Sequence, residues 1–127
     1  MPKKLGLFLL IIIFSVSLLG CMNDKVEESN YTYTIDKAIA YIEDAGLEVN
    51  NRTSNYYELI GAKNGANIDV GKEKIPVELY IDGGEIQKSM FENPDEGKQA
   101  FIISNLYVYI HSDDKSFYEE LKSVFIE

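Results

Sequence analysis

The sequence predicts a small α+β domain with a mostly antiparallel sheet of about four strands and helices packed on one face. Two segments with apolar residues at helical spacing lie near the ends of the predicted domain, around residues 35–45 and 117–125. Between them, residues 75–81 and 106–111 alternate apolar with polar or aromatic side chains, which is the pattern of half-buried strands. Helices mixed with paired strands in a short chain favour one sheet whose apolar face the helices cover.

The first predicted helix covers residues 35–45. Thr34 can act as its N-cap, Asp36 lies in its first turn, and Gly46 follows its last residue. The buried face of this helix would carry the apolar residues at helical spacing, which are Ile35, Ala38, Ile39, Ile42 and Ala45. The next segment, residues 47–51, is predicted to be the first strand.

The middle of the domain contains two predicted strands, residues 66–70 and 75–81, joined by a short connection. The second of them is the clearest strand in the chain, because its apolar and polar residues alternate without a break. Residues 56–61 fit either a helix or a strand, since their apolar side chains share a helix face but the segment is short enough for a strand.

A further helix is predicted from Pro94 to about residue 101 or 103, because Asn93 is a good N-cap and acidic residues follow it. The next strand begins at Leu106, and the connection through this helix could be a crossover between parallel strands, in which case it should be right-handed. The last helix is predicted after an N-cap at Ser112 or Asp113. Its buried stripe would consist of Phe117, Leu121, Val124 and Phe125.

Residues 1–20 have the composition of a secretory signal peptide. Lys3 and Lys4 give a basic start, and residues 5–19 carry no charge and are mostly Leu, Ile and Phe. This apolar run of fifteen residues is shorter than the roughly 20 residues that a helix needs to cross a bilayer. We therefore expect a cleaved export signal, and an uncleaved signal anchor is the alternative.

The four residues Leu-Leu-Gly-Cys at positions 18–21 resemble the lipobox of bacterial lipoproteins, in which an aliphatic, a tolerant and a small position precede a cysteine. The resemblance implies that Cys21 receives a thioether-linked diacylglycerol and becomes the first residue after cleavage behind Gly20. The protein would then be exported and held by lipid at the outer face of the bacterial cytoplasmic membrane. Residues 21–33 are polar and aperiodic, which predicts a flexible tether, and residues 34–127 form the predicted domain.

The chain after residue 20 is strongly acidic. The whole chain has 12 Lys and Arg against 21 Asp and Glu, and the signal carries two of the Lys, so the remaining 10 basic residues leave a net charge near −11. This charge argues against nucleic acid as a partner, and against attachment to anionic lipid head groups by charge. The expected partners are the membrane, through the lipid on Cys21, and another envelope protein. Cys21 is the only cysteine, so no disulfide can form within the chain.

Tyr80, Tyr107, Tyr109 and His111 form the candidate binding face, because all four lie on the non-core side of their predicted strands. If these strands are neighbours, the side chains would line up in an aromatic stripe. Such a stripe could stack on a sugar ring or anchor a partner protein. Ordinary cross-strand pairing of aromatic residues explains the same pattern.

The sequence contains no recognisable catalytic set. His111 is the only histidine, and no serine lies in a nucleophile-elbow pattern. The acidic residues near Asp82 and Asp95 do not match a calcium loop, and one histidine with one cysteine makes no zinc motif. We therefore predict no catalytic residue, no cofactor and no metal. The predicted function is a lipid-anchored envelope protein with a small non-enzymatic binding domain, and a solute- or cation-binding module is the alternative.

Overall fold

The computed structural model describes residues 32–125. The predicted signal peptide, Cys21, the tether up to residue 31 and residues 126–127 lie outside this range. Within it the elements follow in the order α1 (Ile35–Asp44), β1 (Val49–Thr53), a 3₁₀ helix (Tyr57–Ile60), β2 (Ala62–Val70), β3 (Ile75–Asp82), α2 (Ser89–Glu92), β4 (Gln99–Ile103), β5 (Leu106–Ile110) and α3 (Lys115–Val124). The strands form one antiparallel sheet in the order β1-β2-β3-β5-β4, which confirms the predicted α+β class.

The first face of the sheet carries the main core of the domain. Leu79 of β3 pairs with Val108 of β5, and both side chains are fully buried. Helices α1 and α3 lie against this face, with the buried residues Ile35, Ala38, Ile39, Ile42, Phe117 and Leu121. The Phe101 ring of β4 meets the Tyr118 ring of α3 edge-on at 5.9 Å between centroids. The two amphipathic helices therefore cover the apolar face of the strands, as the sequence predicts.

The domain begins earlier than the predicted boundary at residue 34. Tyr33 is buried, its N–H donates to Oδ1 of Asn105 at 2.8 Å, and its carbonyl accepts from the same side chain at 3.0 Å. The Tyr33 ring lies edge-on to Phe125 at 5.6 Å between centroids. Tyr33 therefore belongs to the domain and not to the tether. Thr34 caps α1 as predicted, because its hydroxyl accepts from the N–H of Lys37 at 3.1 Å.

The predicted helix from Pro94 is wrong. Residues 94–98 form a turn instead, in which the N–H of Lys98 donates to the carbonyl of Asp95 at 3.0 Å. Gly97 has a positive φ of 81°, a conformation that ends a helix and does not continue one. A capping residue, a proline and acidic residues also occur in turns, and the glycine decides between the two structures here.

The predicted crossover between parallel strands is also wrong. β3 and β4 both pair antiparallel with β5, one on each side of it. β4 and β5 form a hairpin, and Ser104 in its two-residue turn has a positive φ of 56°. Phe101 is buried opposite Val108 in this hairpin, and Ile102 and Ile103 are β-branched. The strand ladder and the burial of Phe101 outweigh a short helix, which is marginal without tertiary contacts.

Residues 56–61, which by sequence fit either a helix or a strand, contain the 3₁₀ helix. This helix lies on the second face of the sheet and packs close to β2. A Cβ added at Gly65 would lie 2.8 Å from the Cβ of Tyr57 and 3.0 Å from the carbonyl oxygen of Leu79, so only glycine permits this approach. The carbonyl of Ile60 accepts from the N–H of Gln87 at 2.8 Å, which joins the helix to the loop after β3.

Three smaller differences concern the ends of elements. β1 begins at Val49, two residues later than predicted, and β2 begins at Ala62, four residues earlier. The N-cap of α3 is Asp114, not Ser112 or Asp113, and its carboxylate accepts from two backbone N–H groups of the first turn at 2.9 and 3.2 Å. Adjacent polar residues have similar capping propensities, so the sequence alone does not rank them.

Candidate functional site

The second face of the sheet carries the tyrosines that the sequence predicts as a candidate binding face. Tyr80 pairs with Tyr107 and Glu78 pairs with Tyr109 across β3 and β5, so the three tyrosines share one face as predicted. However, Tyr80, Tyr107 and Tyr109 are only 6%, 2% and 5% exposed. The prediction that these tyrosines form an open binding stripe is wrong, because their rings belong to a second, smaller core.

Phe91 of α2 is the residue that covers this second core. Its side chain is buried, and its ring meets three tyrosine rings edge-on, with centroids 5.7 Å from Tyr80, 5.1 Å from Tyr107 and 6.1 Å from Tyr109. Edge-to-face contacts are a favoured arrangement of aromatic rings. Phe91 lies in a segment without helical or strand period, so the sequence pattern does not mark it as a core residue.

Glu78 lies at one margin of the second core and contacts two polar partners. The Tyr80 hydroxyl donates to one carboxylate oxygen, and Nε2 of His111 contacts the other. The side chains of Glu78 and His111 are 22% and 33% exposed. The two residues meet because the strand register sets Glu78 opposite Tyr109, and His111 follows on the same face.

A hollow of about 600 Å³, which we call the Glu78 hollow, opens beside this pair. The Tyr109 hydroxyl accepts from the N–H of Asp95 at 3.1 Å, which holds the turn before β4 at its rim. The lining residues come from β3, β5, α2 and this turn, and they are Glu78, Ser89, Met90, Asn93, Asp95, Lys98, Tyr109 and His111. His111 and Tyr109 are therefore the members of the predicted binding face that line this hollow, and His111 is the more exposed of the two.

The Glu78 hollow presents ionisable groups of both signs. Glu78 and Asp95 supply carboxylates, and Lys98 and His111 supply basic groups. Hydrogen bonds to charged groups are the stronger ones, so this set can hold a ligand that carries both donors and acceptors. The volume falls within the range of about 300–1,000 Å³ that is usual for small-ligand sites.

A histidine beside a carboxylate is half of a general-base arrangement. The other half is a hydroxyl, a thiol or a bound substrate within hydrogen-bond reach of the ring. Ser89 lines the same hollow, but within residues 32–125 no hydroxyl group hydrogen-bonds to the His111 ring. The Glu78–His111 pair therefore offers a carboxylate and an imidazole to a ligand that enters the Glu78 hollow.

The acidic residue Asp82 stabilises the turn after β3. One carboxylate oxygen accepts from the N–H of Gly84 at 2.6 Å and from the N–H of Ile86 at 3.2 Å, which closes the turn after β3. The other oxygen lies 3.4 Å from the Tyr107 hydroxyl. In the part of the chain that the structure describes, no group of three or more His, Cys, Asp or Glu residues is placed to hold a metal ion.

Comparisons with known proteins give no relative. No known protein family matches the chain, and no curated protein or solved structure is significantly similar to it. Among the helices between residues 32 and 125, none combines the length and the apolar character that a membrane span requires. The function proposed below therefore rests on the sequence motifs and on the chemistry of the Glu78 hollow.

The buried tyrosines predict a loss of stability at alkaline pH. Burial raises the pKa of Tyr80, and the neighbouring Glu78 carboxylate raises this pKa further. Burial also raises the pKa of Tyr107, with Asp82 as the next contribution. Because tyrosines ionise near pH 10 in an unfolded chain, the folded state keeps these protons longer. The stabilising contribution is full below about pH 10 and is lost as the pH rises above it.

We expect Tyr80→Phe to make this alkaline loss shallower, by up to about 1.4 kcal/mol of unfolding free energy per pH unit above pH 10. Urea unfolding of the wild type and the variant at about pH 8 and about pH 11 measures the difference. Tyr56→Phe is the matched control, because the Tyr56 side chain is exposed. An equal alkaline loss in wild type and Tyr80→Phe would show that Tyr80 does not resist ionisation in the fold.

Proposed function

We propose that this chain is a lipid-anchored protein of the bacterial cell envelope whose domain is a non-enzymatic binding module. The lipobox resemblance of residues 18–21 supports the anchor, and the basic, apolar segment before it supports export. The acidic charge of the remaining chain leaves the lipid on Cys21 as the means of attachment to the outer face of the cytoplasmic membrane.

The observation that carries the binding role is the Glu78 hollow. Charged side chains are costly to withdraw from water unless they are paired. Glu78 and His111 are partly buried, with 22% and 33% of their side chains exposed, they contact each other, and they face an open volume instead of the main core. Lys98 and Asp95 add further charges at the rim. A concave site with a few convergent polar groups is the usual form of a ligand site.

The favoured ligand is a polar segment of another envelope macromolecule. The Glu78 hollow is open on its outer side, so a group that projects from a larger partner can enter it. A small polar solute is the second candidate, and the volume of about 600 Å³ supports it. Both ligands would use the same charged groups, so one set of variants tests them together.

A thermal-shift screen tests the binding role, with a soluble chain that begins at residue 22 and with amino acids, sugars, wall fragments and divalent cations as probes. A ligand at about 100 times its dissociation constant stabilises the fold by roughly 2.7 kcal/mol. We expect Lys98→Glu to weaken the binding of a hit by at least about tenfold, because a hydrogen bond to a charged group contributes about 1.5–3 kcal/mol.

Lys72→Glu is the matched control for this variant, because it makes the same charge change in the turn between β2 and β3. The control is expected to bind the hit like the wild type. If Lys98→Glu and Lys72→Glu both bind a hit as tightly as the wild type, the Glu78 hollow is excluded as its binding site. A screen without any hit would leave the macromolecular ligand as the remaining candidate, to be sought by crosslinking in intact cells.

A further inference from the structure

The two most exposed large apolar side chains of the described domain lie side by side. Tyr56 is 84% exposed and Leu59 is 76% exposed. Tyr56 is the N-cap of the 3₁₀ helix and Leu59 lies within the helix, and the carbonyl of Tyr56 accepts from the N–H of Leu59 at 3.0 Å. Tyr57 and Ile60 pack inward against the second core. The helix therefore has an apolar outer side, which we call the outer pair, in addition to its buried side.

The outer pair lies near the end of the sheet at which the chain enters the domain. Tyr33 is bonded to Asn105, and the carbonyl of Asn105 accepts from the N–H of Asp82 at 2.9 Å. Asp82 is in turn paired with Ala62, which follows the 3₁₀ helix after Gly61. We call the end of the sheet that contains Tyr33, Asn105, Asp82 and Ala62 the proximal end. A Cβ added at Gly65 would lie 2.8 Å from the Cβ of Tyr57, and Gly65 pairs with Tyr80, two residues before Asp82, so the outer pair lies in the half of the sheet nearer to this end.

The proximal end is also the end at which the chain that leads from Cys21 joins the described domain. Only eleven residues, 21–31, separate the start of the mature chain from the described domain. Eleven residues span at most about 40 Å, even when the chain is fully extended. A lipid on Cys21 would therefore keep the domain close to the bilayer, and a weak contact between them would gain from a high effective concentration.

We propose that Tyr56 and Leu59 insert into the interfacial layer of the bilayer that holds the lipid on Cys21. This inference rests on the proposed lipid anchor. Tyr is enriched at membrane interfaces because its ring is apolar and its hydroxyl is polar, and Leu favours the acyl boundary beneath. The apolar side chains would have to make this contact, because a chain with a net charge near −11 is not attracted to anionic lipid head groups.

This contact would orient the domain on the membrane. His111 directly follows β5, whose other end lies at the turn that carries Asn105. The Glu78 hollow therefore has its histidine toward the end of the sheet opposite to the bilayer. Insertion of the outer pair would leave the Glu78 hollow open to a ligand in the envelope, so that anchoring and binding use different ends of one domain.

Tryptophan fluorescence tests the contact, because the natural chain contains no tryptophan. The full lipidated protein with Tyr56→Trp is reconstituted into vesicles of phosphatidylcholine and phosphatidylglycerol, with and without brominated acyl chains. We expect the Trp emission to shift to shorter wavelength and to be quenched by the brominated lipid, and both effects to persist at high salt. Lys72→Trp at the opposite turn is the control and is expected to show neither effect.

Leu59→Ser in the Tyr56→Trp background is expected to reduce the quenching, because it removes the second apolar group. Flotation of the vesicles reports the anchor separately. Protein that floats with the vesicles but shows no quenching overturns the membrane contact and leaves the anchor intact. Protein that does not float overturns both the anchor and the contact. Equal quenching of the Tyr56→Trp and Lys72→Trp proteins also overturns the proposal, since it would mean that no particular end faces the lipid.

Discussion

Replacing Phe91 with Ala is expected to lower the free energy of unfolding by about 3–5 kcal/mol, which is the usual cost of removing a buried phenylalanine ring. Phe91 is only 3% exposed and contacts three tyrosine rings of the second face. The helix that carries it has four residues, Ser89–Glu92, and is too short to be stable alone. Loss of the ring would therefore loosen α2 and expose the tyrosines. It would also disturb the Glu78 hollow, because α2 supplies part of its lining.

Urea unfolding of the soluble chain that begins at residue 22 measures this loss. Leu59→Ala is the control, because Leu59 is exposed and a change there is expected to stay within about 0.5 kcal/mol. The loss of unfolding free energy for Phe91→Leu is expected to lie between the losses for Phe91→Ala and Leu59→Ala, since Leu keeps part of the buried volume. A loss below about 1 kcal/mol for Phe91→Ala would contradict a second core that depends on this ring.

Replacing Cys21 with Ser is expected to abolish lipid attachment completely. The proposed thioether bond to diacylglycerol would need the sulfur of Cys21, and this is the only cysteine in the chain. Without lipid, we expect the signal to remain uncut and labelled palmitate to be absent from the protein. Metabolic labelling and the size of the protein in cell fractions measure both effects.

Met22→Ser is the matched control for this change, because it introduces the same residue one position later. The control protein is expected to incorporate palmitate and to be processed like the wild type. Normal processing and labelling of Cys21→Ser would contradict the proposal that Cys21 carries a lipid anchor. Loss of labelling in both variants would show that the region tolerates no change, and would not single out Cys21.

The main core could be predicted because its signals are local and periodic. The spacing of Ile35, Ile39 and Ile42, together with the Thr34 cap, predicts α1 as the structure has it. Alternation in β3 predicts Leu79 on the apolar face. β4 was not predictable in the same way, since a capping asparagine and a proline before it serve a turn as well as a helix.

The site depends on long-range pairing, which no local pattern reports. Alternation predicts that the tyrosines of β3 and β5 share a face, but it does not predict their burial under Phe91. Glu78 and His111 are 33 positions apart and meet through the strand register. The sequence pattern predicts the correct face for His111, but it does not mark Glu78 as the partner because polar residues on the outer face of a strand are common.

The proposed anchoring of this domain through Cys21 is tested most directly by the mass of the N-terminal peptide of the protein extracted from bacterial membranes. We expect a peptide that begins at residue 21 and carries a thioether-linked diacylglycerol. A peptide that begins at another residue, or that begins at Cys21 with a free thiol, would contradict the lipid anchor and, with it, the membrane contact of Tyr56 and Leu59.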